Sequence, residues 1–236
     1  MDPEPQAIKA GIQQPHVTRG TVFMQSVLGL ILHLLLAVPF LRRTHGLARL
    51  HPAQRHLLVI NHISLLDTLV IATLCWRSGC YPILVLGDKN VWHASWVRRL
   101  LSRQTAFLLE RGKLNPNRIR ELQAFGRAGQ EFQLIVFPEG TRGDGVNVAP
   151  CQPGIYFIAQ AARIPMVPIF IENMQLISTK TGPFHLFRGW RKVEVHFGEP
   201  IAPATYLPMP REEFLVFVRQ RILAAKTKES GALKSH

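Results

Sequence analysis

A chain of 236 residues with 47% hydrophobic content can bury one sizeable core, so a single catalytic domain with an appendage is expected. Its 28 Lys plus Arg against 15 Asp plus Glu leave a formal net charge of +13, which points to anionic partners: phosphate-bearing lipid, an acidic membrane surface, a nucleotide-bearing thioester or an acidic carrier. No zinc-finger, basic-zipper or RNA-recognition signature accompanies the charge, and no Gly-x-Ser-x-Gly, Walker A or Gly-x-Gly-x-x-Gly pattern occurs; nucleic acid is therefore not an expected partner, and serine-esterase, nucleotide-hydrolase and dinucleotide chemistries are disfavoured.

Met1 to Gly20 is polar, carries three prolines and has no periodicity, which predicts a flexible arm over 1–20. Val22 to Leu41 is apolar apart from Gln25, Ser26 and His33, and as a helix it measures roughly 30 Å, the thickness of a bilayer core. A spanning helix and a re-entrant, half-buried one both fit, with a buried core helix as their rival. Arg42, Arg43 and Arg49 follow, so the chain after them is expected on the cytoplasmic side, and 21–50 is read as a membrane-associated helical segment.

Leu57 to Ile60 is a short apolar run of strand character, and Leu65, Leu66, Leu69, Val70 and Thr73 recur at helical spacing. Asn61 to Asp67, N-H-I-S-L-L-D, therefore forms the turn between them, at the carboxyl edge of a sheet where open α/β folds keep their clefts. On one continuous helix His62 and Asp67 would point about 140° apart, at roughly 100° per residue. With His62 in the turn and Asp67 in the first helical turn, the carboxylate can reach one imidazole nitrogen and leave the other as a proton acceptor. The competing reading makes Ser64-x-x-Asp67 a capping box only.

Tyr81 to Leu86 predicts a second strand, and the basic stretch from Lys89 holding Trp92, Trp96, Arg98 and Arg99 suits a membrane interface or a half-buried surface helix. Thr105 to Arg111 predicts a third strand and Asn115 to Gln130 a helix opened by Asn-Pro. Phe132 to Val136 is another strand, running into F-P-E-G-T-R at 137–142 and a glycine-rich loop at 143–145. A helix over Gly154 to Ala162, strands over Ile164 to Ile171 and Val193 to Phe197, and a helix over Arg211 to Ala225 follow, with a polar tail over 226–236. Cys75, Cys80 and Cys151 are odd in number and lack metal-ligand spacing, which fits a reducing compartment.

Together N-H-I-S-L-L-D and F-P-E-G-T-R resemble the first and third motifs, N-H-x4-D and F-P-E-G-T-R, of the glycerolipid acyltransferases of the 1-acylglycerol-3-phosphate (lysophosphatidic acid) acyltransferase family. T-A-F-L-L-E-R at 105–111 resembles the second motif, G-x-x-F-I-D-R, with Thr105, Leu108 and Glu110 departing from it, so that only Arg111 transfers. V-P-I at 167–169 resembles the fourth, while the lysine often found near the position of Gln152 is missing.

The resemblance implies an α/β fold with a mixed, largely parallel sheet flanked by helices, an acyltransferase domain over 51–225, and no cofactor or metal. It implies a fatty acyl transfer from acyl-CoA or acyl-carrier protein to the hydroxyl of a lysophospholipid, by direct attack and without an acyl-enzyme. His62 would be the base and Asp67 its orienter. Arg111 and Arg142 would hold the acceptor headgroup with Gly140 and Thr141, and Glu139 would be a structural member of that site. Lysophosphatidic acid is the default acceptor; a lyso-aminolipid, or a non-catalytic lipid-binding protein on an anionic membrane, are the alternatives.

Overall fold

Strands covered on both faces read as unbroken apolar runs rather than alternating ones, and three segments here do so. The computed structural model describes residues 19–88, 93, 106–109, 116–127, 131–178, 185 and 187–232. Its strands are β1 (Leu41–His45), β2 (His56–Ile60), β3 (Ile83–Asp88), β4 (Ala106–Leu109), β5 (Gln133–Val136), β6 (Met166–Glu172) and β7 (Val193–Phe197). They form one seven-stranded sheet in the order β1-β7-β6-β2-β5-β3-β4, and every residue of β2 and β5 is buried. All neighbours are parallel except β6 and β7.

That one antiparallel pairing decides what meets at each edge. Ile169 faces Phe197 and Glu172 faces Glu194, so the carboxyl ends of β2 and β6 share an edge with the amino ends of β7 and β1. Successive side chains of a strand alternate faces, and the two cores follow this rule. Leu57 and Val59 face a layer made from α3 (Pro116–Arg127), α4 (Gly154–Ala162) and, beyond the short α5 (Pro203–Tyr206), α6 (Arg211–Ala232). Leu58 and Ile60 face α2 (Leu66–Arg77) and the end of the N-terminal helix.

The N-terminal helix, α1, runs over Arg19–Leu32 and continues through a π-helical segment, His33–Ala37, into Val38–Phe40. It is pinned along the domain. Gln25 spans both backbone groups of Ile83, donating to its carbonyl at 3.0 Å and accepting from its N–H at 2.9 Å. Gly29 lies so close to Trp76 of α2 that a methyl group there would collide with the indole. The other side of α1 bears Phe23, Val27, Leu30, Ile31, Leu34, Leu35 and Val38, all exposed and spaced to form one stripe.

The sheet corrects the expected boundaries in three places. Leu41–His45, which the sequence assigned to the membrane-associated segment, is an edge strand paired with β7. Helix α1 starts at Arg19, inside the expected arm, and α6 runs on to Ala232 rather than stopping at Ala225. Arg49, counted among the charges flanking the apolar segment, is taken up by the Phe197 carbonyl and by Glu199 at 2.7 Å. Apart from His93, the tryptophan-rich stretch at 92–100 lies outside the described residues, as do Glu110 and Arg111.

Candidate active site

Where β2 ends, the chain must turn into α2 without leaving buried backbone groups unpaired. Asn61 closes the first gap: its carboxamide donates to the Ile171 carbonyl at 2.9 Å and accepts from the Ile171 N–H at 2.7 Å, continuing the β2–β6 ladder by one side chain. Asp67, fully buried, closes the second. Its Oδ2 accepts the N–H groups of Ile63 at 2.6 Å and Ser64 at 2.8 Å, while Ser64 Oγ accepts from the Leu66 N–H at 3.2 Å. Side chain and backbone thus satisfy each other across the turn as in a capping box, although Ser64 meets the Leu66 N–H rather than that of Asp67 and stands one residue before the helix N-cap, Leu65.

The same Oδ2 lies 3.0 Å from His62 Nδ1. A carboxylate can only accept, so Nδ1 carries the proton and Nε2 presents its lone pair. No described residue hydrogen-bonds Nε2. The capping and orienting readings of Asp67 therefore do not compete: one oxygen serves both, and the capped turn fixes where the imidazole points.

The F-P-E-G-T-R loop, leaving β5, builds the other wall. Phe137 stacks on the His62 ring with centroids 4.1 Å apart. Glu139, only 3% exposed, accepts the His62 N–H at 2.8 Å through Oε1 and the Ala149 N–H at 2.9 Å through Oε2. The Gly143 N–H donates to the His62 carbonyl at 2.6 Å. Burial pushes the Glu139 carboxyl above its ordinary range, against the pull of the two backbone donors.

These contacts sort the expected site residues. His62 and Asp67 come together as the spacing predicted. Glu139, expected as a structural member of the headgroup site, is buried, and its two oxygens hold the backbone of His62 in the first motif and of Ala149 beyond the third. Gly140 takes a left-handed φ of 68°, and a side chain there would also meet Gln152. The turn it makes leaves Thr141 exposed and Arg142 half-buried, with no carboxylate partner for Arg142 among the described residues. Its neighbour Gly143 bonds His62, so the guanidinium is carried by the same loop that touches the imidazole.

Asn61 and Phe137 were legible only as letters of their motifs; nothing in spacing or composition distinguishes a carboxamide that patches a ladder or a ring that stacks on a histidine. The thiols are poor nucleophiles. All three cysteines are buried, and burial pushes Cys80 up to about 11 and Cys151 up to about 12.

Known proteins share this layout. The family model described as Acyltransferase matches residues 41–172. The chain is 25% identical to the 1-acyl-sn-glycerol-3-phosphate acyltransferase of Saccharomyces cerevisiae over 138 residues, which cover 55% of this chain and 43% of that protein. It is 26% identical to a probable 1-acyl-sn-glycerol-3-phosphate acyltransferase of Mycoplasma pneumoniae over 66% of this chain and 60% of that one, and 27% identical to the human alpha enzyme over 52% and 43%. The matched region thus spans about half the length of these curated relatives. The crystal structure of the lysophosphatidic acid acyltransferase PlsC from Thermotoga maritima has the same fold, with a TM-score of 0.64 at 19% identity over 91% of this chain and 80% of that one. With more than half of its length matched by the family model, and with both of its motifs meeting at one sheet edge, the chain belongs to the Acyltransferase family.

Proposed function

We propose that this protein is an O-acyltransferase that moves a fatty acyl chain from acyl-CoA or acyl-carrier protein to the free hydroxyl of a lysophospholipid, with 1-acyl-sn-glycerol-3-phosphate as the acceptor. One observation carries the reading: the His62–Asp67 pair, 3.0 Å apart, is held against the loop that presents Arg142. His62 Nε2 takes the proton of the acceptor hydroxyl as its oxygen attacks the thioester carbonyl. The ionised Asp67 stabilises the imidazolium that forms. Collapse of the tetrahedral intermediate breaks the carbon–sulfur bond, and the leaving thiolate takes the proton back from His62. Arg142, with Gly140 and Thr141 beside it, grips the acceptor phosphate, and Arg111 is its partner in that task.

The acyltransferase domain on this reading begins with β1 rather than at residue 51. The exposed stripe of α1 supports attachment to a membrane, where both the acceptor and the product reside. Because Gln25 and Gly29 bind α1 to the domain, we assign it a half-embedded position at the cytoplasmic face in place of a free span. Anionic lipid would be its surroundings.

The departures at Thr105, Leu108 and Glu110 favour one further reading, in which the acceptor is a lysolipid with another headgroup. Labelled acyl transfer by the purified protein, measured over a panel of lysolipids with acyl-CoA and with acyl-carrier protein, tests both. Transfer to lysophosphatidic acid above all other acceptors is expected. No transfer to any acceptor from either donor would remove the enzymatic reading.

A further inference from the structure

Immediately before β7 the chain reads F-R-G-W-R-K at 187–192, and the site just described makes no use of it. Phe187 is 89% exposed and Trp190 53% exposed, whereas Phe132, Phe170, Phe197 and Phe214 are fully buried. Large exposed apolar groups set among cations are a costly surface in water and a favourable one at a bilayer interface.

The loop is tied to the domain with its rings outward. Gly189 is buried against Ile177 so tightly that a methyl group would collide with it, and the Asn173 side chain donates to the Lys192 carbonyl at 3.0 Å. The Arg191 N–H donates to the Pro39 carbonyl at 2.8 Å, which joins the loop to the end of α1, beside the exposed Leu35 and Val38. Arg188, Arg191 and Lys192 are all exposed, and no carboxylate pairs with them among the described residues. The following residue, Val193, opens β7 opposite Leu41, and that edge of the sheet is the one where β2 delivers His62.

We propose that the Phe187–Lys192 loop is a second membrane contact, an interfacial anchor that seats its two aromatic rings among the acyl chains and its three cations among anionic headgroups. Together with the exposed stripe of α1 it brings the His62 edge of the sheet to the bilayer surface, so a lysolipid reaches the site from the membrane. The inference rests on the reading that the protein works on membrane lipid.

The test uses the full chain with single cysteines carrying an environment-sensitive fluorophore, since Cys75, Cys80 and Cys151 are buried and resist labelling. Labels go at Phe187→Cys in the loop, at Leu34→Cys on the α1 stripe, and at Ala53→Cys, exposed at the opposite end of β2. On vesicles of phosphatidylcholine mixed with phosphatidylglycerol, the labels at 187 and 34 should brighten and shift to the blue, and the label at 53 should not. Arg188→Glu with Lys192→Glu should weaken partitioning at low salt by at least about tenfold, and the difference should close near about 1 M salt. A response at 34 with none at 187 overturns the loop contact while leaving the membrane reading intact. Silence at both positions overturns both. Unchanged partitioning of the charge-reversed variant at low salt overturns the anionic preference.

Discussion

His56 and His62 stand at opposite ends of the same strand, and their surroundings differ in ways that separate a packed histidine from a reactive one. His56 opens β2 with no exposure at all, and its Nδ1 meets Gln133 Oε1 at 2.9 Å, the residue directly across the β2–β5 ladder. Gln133 in turn donates to the Gln54 carbonyl at 2.8 Å. The partner is neutral, and His56 Nε2 is buried with no hydrogen-bond partner among the described residues. Burial accordingly holds the His56 ring below the usual imidazole range. His62, beyond the other end, has an ionised partner behind it and an open side in front. A histidine becomes a base when a charge fixes one nitrogen and solvent or substrate can reach the other.

The sharpest way to break this comparison is His62→Ala. Turnover should fall by about 10² to 10⁴-fold, while the melting temperature falls only by what the Phe137 stacking and the Asp67 bond contribute, since Asp67 keeps its two backbone donors. Calorimetry beside the acyl-transfer assay checks both, and retained activity would sink the assignment.

Asp67→Asn should come next, with a loss of about 10²-fold in turnover. A carboxamide oxygen can still cap the Ile63 and Ser64 N–H groups, yet it no longer carries the charge that stabilises the imidazolium. A variant that loses only thermal stability and keeps its turnover would show that Asp67 serves the cap alone.

Glu139→Ala tests whether the two motifs are locked together. It strips the partner from two backbone N–H groups, each costing about 1–3 kcal/mol if buried and unpaired, and should loosen His62 without touching the chemistry directly. The melting temperature and turnover should fall together. Glu139→Gln should recover part of both, because one acceptor oxygen remains.

A smaller effect is expected of Arg142→Lys, which should raise the KM for the lysolipid several-fold and leave the thioester KM nearly unchanged. Lysine cannot reproduce the bidentate geometry of a guanidinium, and a headgroup contact is made in ground and transition states alike. A rise confined to the thioester KM would move this arginine to the donor side of the cleft.

The smallest effect belongs to His56→Leu, which should leave turnover at neutral pH nearly intact. In the unfolded chain this imidazole takes up a proton at about pH 6.5. In the folded protein it does so only at lower pH, so the unfolded state binds more protons below about 6.5 and stability falls as pH falls. The leucine variant, already weakened at neutral pH because Gln133 Oε1 loses its partner, should lose less on acidification, so the two melting curves converge as pH drops. Parallel curves would mean that His56 titrates no differently in the fold.

Much of this protein is written locally. Parallel strands covered on both faces must be continuous apolar runs, so Leu57–Ile60 and Phe132–Val136 are legible from residue types alone, as are the helices at 66–77 and 154–162. The two motifs likewise name His62, Asp67 and Arg142. What the sequence could not hold is long-range pairing. Leu41–His45, with two arginines and a histidine, has the composition of a surface segment, and it is a strand only because Val193–Phe197 lies beside it. Glu139 could be named a structural member of the site, but only tertiary structure shows which two backbone amides it holds. The side of α1 that meets Trp76 and Ile83 is marked in sequence by the small and polar Thr21, Gln25, Gly29 and Ala37, but only the tertiary structure shows that this side packs on the domain and leaves the large apolar residues exposed, the reverse of an ordinary surface helix.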